Sequence, residues 1–199
     1  MIKDLLNITP FPGWQVNALY PHVSENITRL EFDALFPYGS DSLIKAYRAY
    51  LDTRLIDEIN PHLPSELGTT DTIRWIVRTR FQHILQHAEA EKAAISEALF
   101  SANILTAPIY IGQFADLVWR AVGDMSTDMN YYTKRLSLGV VYSLTLLHWY
   151  HTQPTSIEEI MAYFNARLST LKSLIHSIPT SENIVKNLNL LKAAFFNTF

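Results

Sequence analysis

Prolines divide this chain into segments that carry the periodicity of helices. Apolar residues recur at spacings of three and four between the turns at residues 10–13 and 37–39 and beyond. The clearest stripe follows Pro37 and consists of Leu43, Ile44, Tyr47, Tyr50, Leu51, Leu55 and Ile59. No segment shows the alternation of apolar and polar residues that a half-buried strand requires. The pattern therefore predicts an all-α fold of about ten helices.

The composition excludes several classes of protein. Of the 199 residues, 48% are apolar and 18% are charged, which favours a packed core over disorder. Sixteen basic residues against 19 acidic residues give a net charge of −3, without the basic excess of nucleic-acid-binding domains. The absence of cysteine excludes disulfides and thiolate metal sites. The first residues show no signal-peptide core, and the uncharged stretches 98–115 and 136–157 contain too many polar residues for membrane spans.

Three short helices at the start of the chain predict a small head on a larger body. We place the head at residues 1–38, a helical body at 39–178 and a C-terminal amphipathic helix at 179–199. The head, followed by the break at 37–39 and an acid-capped helix, resembles the helix-turn-helix of the tetracycline-repressor type of fold. The alternative function is therefore a ligand-responsive transcriptional regulator of that type.

The residues of the head argue against DNA binding. Residues 1–36 contain two basic side chains, Lys3 and Arg29, against four acidic ones. A recognition helix faces about one phosphate charge per 1.7 Å of duplex, so a net negative head is unfavourable there. Pro21 also interrupts the predicted helix at 14–25, where an interior proline costs about 3 kcal/mol. We predict a degenerate head that does not bind nucleic acid.

The segment from Gly123 to Arg135 is the most informative part of the sequence. Gly123 permits a sharp turn, and the short polar and acidic residues after it are typical of a helix start. Asp128, Tyr131 and Arg135 share one helical face, and we expect Tyr131 to be the more exposed of the two adjacent tyrosines. The segment is consistent either with a well-capped helix start or with a recognition surface.

This run also resembles the hallmark of a known family, the Coq-nine accessory proteins of ubiquinone biosynthesis. The shared features are Gly123-Asp124, Ser126-Thr127-Asp128, Asn130, an aromatic pair and Thr-basic-Arg. The resemblance continues upstream through Gly13-Trp14, Gly39–Leu43 and Thr53–Leu55, so it covers roughly residues 13–167. Met129 and Tyr131 depart from the family, which carries Phe and Trp at these positions.

The resemblance implies a repressor-like fold that has lost DNA binding, and we expect no cofactor. It implies an apolar pocket for an isoprenoid quinone intermediate or a phospholipid. It further implies a cytoplasmic protein that associates peripherally with the inner membrane and presents the intermediate to the di-iron demethoxyubiquinone hydroxylase. Arg135 would lie near the lipid head group or the pocket mouth. The residues expected to face the hydroxylase are Asp124, Ser126, Thr127, Asp128, Tyr131 and Tyr132.

The resemblance and the apolar helices together predict an elongated cavity in the body. We expect it to be lined by Ile76, Leu99, Ile104, Leu117, Val140, Leu144 and Leu147. The tail from 181 to 199 is either a helix packed on the core or an interfacial helix on a membrane. The side chains that would contact the membrane are Ile184, Leu188, Leu191, Phe195, Phe196 and Phe199. The sequence is compatible with a monomer and with a homodimer.

One constellation has the spacing of metal ligands. His83, His87 and Glu91 follow at i, i+4 and i+8, as in a small hydroxylase subunit that holds a metal on one helix. The apolar stripe of that helix predicts the line on the opposite, solvated face, so we expect no metal there. Phosphate-binding glycine loops, GxSxG and ExxH pairs do not occur. We therefore predict that the chain is not an enzyme.

Overall fold

The computed structural model describes residues 1–64, 66–100, 106–154 and 156–177, with the side chains of residues 106 and 174–177 excepted. These ranges contain helices and no strand, which confirms the all-α prediction. The helices are α1 (Ile2–Leu6), α2 (Val16–Leu19), a 3₁₀ helix (Tyr20–His22), α3 (Arg29–Leu35), α4 (Ser40–His62), α5 (Thr69–Gln86), α6 (Ala88–Phe100), α7 (Thr106–Ala121), α8 (Met129–Thr152) and α9 (Ile157–Ser177).

Helix α5 is central to the body. It packs against α4, α6, α7 and α9, and α8 packs between α7 and α9. The largest fully buried aromatic side chains come from six helices and are Phe32, Tyr47, Phe81, Phe114, Trp149 and Phe164. Burial of one large apolar side chain contributes about 1.5–3 kcal/mol, so this shared core fixes the relative positions of the long helices.

The head departs from the predicted helix at 14–25. The chain instead forms the four-residue α2 and then the 3₁₀ helix that contains Pro21. Proline lacks a backbone N–H, so it cannot continue the α-helical hydrogen-bond pattern. The head is fixed to the body by Trp14, whose Nε1–H donates to the carbonyl of Ala90 over 2.8 Å. The ring of Trp14 lies 5.1 Å from that of Tyr47 on α4.

The structure shows a capping box at α3. Thr28 Oγ1 accepts from the backbone N–H of Glu31, and the Glu31 carboxylate accepts from the backbone N–H of Thr28. Thr155 and Glu158 have the spacing of a second capping box, but Thr155 lies outside the described part of the chain. Glu158 itself forms an ion pair with Arg78 at 2.6 Å.

The prediction that the His83–Glu91 line faces solvent is wrong. His83 and Glu91 are almost completely buried, because α5 and α6 carry them toward α4. His83 Nε2 lies 2.7 Å from Glu58 Oε2, and burial lowers the pKa of His83. Glu91 pairs with Arg48. No cluster of potential metal ligands occurs within the described ranges.

The tail at 181–199, with its six proposed membrane-contact residues, lies outside the described residues. Of the helices that the structure describes, none combines the length and the apolar character needed to cross a membrane.

Candidate functional site

Five helices, α4 to α8, enclose a cavity of about 710 Å³. This volume lies within the range of about 300–1,000 Å³ typical of ligand sites. Helices α7 and α8 approach closely beside it, since a Cβ added to Gly139 would lie 3.1 Å from Ile111 Cγ2. The buried side of the wall is formed by Ile44, Ala94, Ile95, Phe114, Tyr142 and Leu146.

The other side of the cavity is a rim of exposed apolar side chains. The rim residues are Leu99, Leu136, Val140, Leu144 and Leu147, each at least 42% exposed. Large apolar side chains that leave this much area in contact with water are characteristic of binding sites. The geometry therefore provides an apolar interior that opens through an apolar mouth.

Some of the residues predicted to line the cavity do so, and others lie elsewhere. Leu99, Val140, Leu144 and Leu147 line the cavity, as does Arg135. Ile76 does not, because it points into the core and is completely buried. Leu117 also lies elsewhere and is half-buried against the core. Ile104 is outside the described residues.

Two arginines, which the sequence analysis did not select, line the buried side. Arg48 donates through Nη1 to both carboxylate oxygens of Glu91, at 2.6 and 2.5 Å. Arg80 is 3% exposed and places Nη2 2.8 Å from Asp52 Oδ1. The sequence did contain a signal for Arg80, because the apolar stripe of α5 through Ile76 passes over this position. An arginine within an apolar stripe indicates a buried charge.

A cluster of charges joins α7 to the start of α8. Arg135 donates from Nε to Asp116 Oδ1 at 2.7 Å and from Nη1 to Asp124 Oδ2 at 3.1 Å. Asp124 also accepts from Lys134 Nζ at 2.6 Å and from the Ser126 hydroxyl at 2.8 Å. Asp116 was not among the site residues predicted from the sequence, although it is the only acidic residue of α7. We call Asp116, Asp124 and Arg135 the Arg135 cluster.

The hydrogen bonds of the Arg135 cluster perturb its acids. The Lys134 ammonium and the Ser126 hydroxyl hold the pKa of Asp124 well below its usual range. Partial burial raises the pKa of Asp116, but hydrogen bonds from Arg135, Tyr131 and Arg120 outweigh it, and the net pKa is lowered. Both carboxylates are therefore anionic at neutral pH and fix the Arg135 guanidinium at the cavity wall.

The prediction that Tyr131 is the more exposed tyrosine is wrong. Tyr131 is half-buried, because its hydroxyl donates to Asp116 on α7 and its ring lies under the Arg135 guanidinium at 3.5 Å. Tyr132 is 66% exposed instead. Asp128 is also exposed, but it caps α8 by accepting from the backbone N–H of Asn130 at 3.0 Å. Gly123 forms the predicted turn with φ +80°.

Met129 and Tyr132 begin an exposed apolar stripe that runs along α8 to the cavity. Met129 and Tyr132 lie one turn apart, at 74% and 66% exposure, and Leu136 follows at 70%. The stripe then continues through the rim residues Val140 and Leu144. The surface predicted to face a partner is thus continuous with the mouth of the cavity. Of the predicted partner residues, Thr127 is also exposed, whereas Ser126 and Asp124 are directed into the Arg135 cluster.

Acid should destabilise the protein through the Arg135 cluster. Because the folded-state pKa values of Asp116 and Asp124 are lowered, their contribution to the free energy of unfolding is full above the ordinary aspartate pKa of about 4. It is lost as pH falls below about 4 toward the folded-state values. Thermal midpoints measured from pH 6 to pH 3 should fall less steeply in Asp124→Asn than in the parent. Asp57→Asn, at an exposed position of α4, is the matched control, and an unchanged slope in Asp124→Asn would contradict the prediction.

Known proteins are similar in sequence to this region of the chain. The model of the COQ9 family matches residues 106–175, which include α7, α8 and the segment from Gly123 to Arg135. The chain is 23% identical to the human mitochondrial ubiquinone biosynthesis protein COQ9, over 94% of the chain and 63% of the human protein. It is 27% identical to the COQ9 protein of Rattus norvegicus and 23% identical to COQ9-B of Xenopus laevis, again over 94% of the chain.

These relatives are longer than the chain, which spans less than two thirds of the human protein's length. The matches nevertheless extend beyond the Gly123–Arg135 run to the head and to most of the body. The resemblance to the COQ9 (Coq-nine) family that the sequence predicts is therefore confirmed.

Proposed function

We propose that this chain is a non-enzymatic, lipid-binding accessory protein of ubiquinone biosynthesis. The observation that carries the proposal is the cavity of about 710 Å³ that the five helices α4 to α8 form, with its apolar mouth. Each methylene of an isoprenoid tail buried there gains about 0.8 kcal/mol. The relatives are named as ubiquinone biosynthesis proteins, which supports a quinone intermediate as the occupant.

The second part of the proposal is presentation of the ligand to the di-iron demethoxyubiquinone hydroxylase at a membrane surface. It is supported by the continuity between the cavity rim and the exposed stripe from Met129 through Tyr132 to Leu136. A partner or a membrane on this stripe would cover the apolar side chains that now face water, which is favourable. Such an arrangement also allows a ligand to pass from the cavity without crossing bulk water.

A cavity-filling substitution tests the lipid site. Leu144→Trp places a larger side chain at the rim and should reduce co-purified isoprenoid lipid, measured by native mass spectrometry, by at least half. Leu30→Trp is the matched control, because Leu30 is 81% exposed on α3 and does not line the cavity. Equal lipid content in the parent and both variants, with unchanged melting temperatures, would contradict a lipid site in this cavity.

A DNA-binding assay distinguishes the proposed function from the alternative, a ligand-responsive repressor. In the head, Arg29 pairs with Asp33 at 2.9 Å and Glu31 caps α3, so the single basic side chain of this helix is already paired with a carboxylate. We predict that a gel-shift assay with duplex DNA at low salt shows no complex at micromolar protein. A complex that dissociates steeply with added salt would favour the repressor instead.

A further inference from the structure

The buried side of the cavity contains hydrogen-bond donors that an apolar tail would leave unused. Arg80 and Tyr142 line the cavity and are 3% and 2% exposed. The Tyr142 hydroxyl and the Arg80 guanidinium interact with each other, but neither that hydroxyl nor Arg80 Nε and Nη1 has a hydrogen-bond partner of good geometry among the described residues. A buried donor without a partner is unfavourable, so these groups favour any ligand that brings an acceptor to them.

The aromatic ring of Phe114 joins the two side chains. Its centroid lies 4.2 Å from that of Tyr142 and 5.1 Å from Arg80 Cζ. The donors thus lie beside an aromatic surface, an arrangement suited to a flat ring that carries oxygen atoms. Burial raises the pKa of Tyr142, so its hydroxyl keeps its proton and can donate. The donors themselves have almost no accessible surface, so recognition by them requires small side-chain movements as a ligand enters.

The charges around this wall favour a neutral ligand. Arg80 is paired with Asp52, and Arg48 is paired with Glu91. Arg135 also lines the cavity, but it is bound by two aspartates. A carboxylate or phosphate would therefore lose its hydration without gaining an unpaired cation. A carbonyl, ether or hydroxyl oxygen has no such penalty.

We propose that the ligand enters head first, with a neutral, oxygen-bearing ring hydrogen-bonded to Arg80 and Tyr142 and its tail directed toward the rim on α8. This inference rests on the proposed lipid-binding function and adds the orientation of the ligand and the class of its head. Beyond the quinone class already proposed, what it adds is the head-first orientation and the assignment of Arg80 and Tyr142 as the residues that select an oxygenated head over a plain hydrocarbon of the same length.

The test compares three probes with equal detergent background, by displacement of an apolar fluorescent dye from the full chain. The probes are decylubiquinone, decylbenzene and decanoate. We expect the parent to bind decylubiquinone at least fivefold more tightly than either other probe. Tyr142→Phe and Arg80→Lys should each reduce that preference about fivefold while changing the affinity for decylbenzene less than twofold.

Tyr47→Phe is the matched control. The Tyr47 hydroxyl is also buried and unpartnered within the described part of the chain, but Tyr47 does not line the cavity. This variant should keep the full preference for decylubiquinone. Arg80→Lys retains the charge that faces Asp52, and melting curves show whether each variant is folded.

The possible outcomes separate this inference from the proposed function. Equal binding of decylubiquinone and decylbenzene by the parent would overturn head-first recognition but leave an apolar lipid site. Preference for decanoate would overturn the selection of a neutral head. A preference for decylubiquinone that survives in both Tyr142→Phe and Arg80→Lys would also overturn the inference. If no probe binds, the proposed lipid-binding function itself fails.

Discussion

Arg48→Met is expected to lower the free energy of unfolding by about 3–5 kcal/mol. Glu91 is completely buried and accepts two hydrogen bonds from Arg48, which is itself 15% exposed. Removal of the guanidinium leaves a carboxylate in the interior without a counter-ion, and the desolvation of that charge is the source of the cost. For a chain of this size the loss corresponds to a fall in the thermal midpoint of roughly 6–20 °C.

Two further variants identify the cause of that loss. Arg78→Met removes one partner of an exposed ion pair with Glu158 and should cost less than about 1 kcal/mol. The double variant Arg48→Met with Glu91→Leu removes both buried charges and should recover most of the stability, because apolar replacements of buried pairs are often neutral or stabilising. Urea denaturation of the three variants measures these differences. A cost in Arg48→Met no larger than that in Arg78→Met would show that Glu91 is not an uncompensated buried charge.

Tyr132→Ala is expected to weaken binding to the di-iron demethoxyubiquinone hydroxylase at least tenfold, or about 1.4 kcal/mol. Tyr132 is 66% exposed on the stripe that leads to the cavity rim, and interfaces concentrate their binding energy in a few such aromatics. The free energy of unfolding should change by less than about 1 kcal/mol, as at other exposed positions. The measurements are a titration against the purified hydroxylase and a melting curve.

Tyr38→Ala is the matched control for the partner surface. Tyr38 is 80% exposed in the turn between α3 and α4, away from the stripe on α8. Its substitution should leave the affinity unchanged. Equal losses in both variants, or no loss in Tyr132→Ala, would remove the α8 stripe from the proposed interface. Tyr131→Ala is less informative, because it also removes a hydrogen bond to Asp116 and the ring beneath Arg135.

Local sequence signals predicted much of the framework of this fold. Periodicity predicted a helix after Pro37, and the stripe from Leu43 to Ile59 lies within α4. The turn at Gly123 and a helix beginning near Asp128 followed from residue types alone. The second segment of the head was predicted less well, because Pro21 ends one helical pattern without specifying the 3₁₀ turn that replaces it.

Which residues form the site is decided by contacts between helices. Leu144 was predicted at the cavity from its position on α8, and it lies at the rim. Ile76 was predicted there on the same grounds but is buried in the core, because periodicity identifies an apolar face without identifying what packs against it. Tyr131 and Tyr132 are neighbours with the same side chain, and only Asp116 on the adjacent helix decides which of them is held inward.

The sequence alone therefore determined the all-α class, the helix after Pro37, the helix start near Asp128 and the resemblance to the COQ9 family, since these depend on residues close together in the chain. The tertiary structure decided which charges are buried. Arg48 meets Glu91 across 43 positions, and Arg80 meets Asp52 between α5 and α4. These pairs form only when the helices pack, because the free energy that brings them together comes from burial of the shared apolar core.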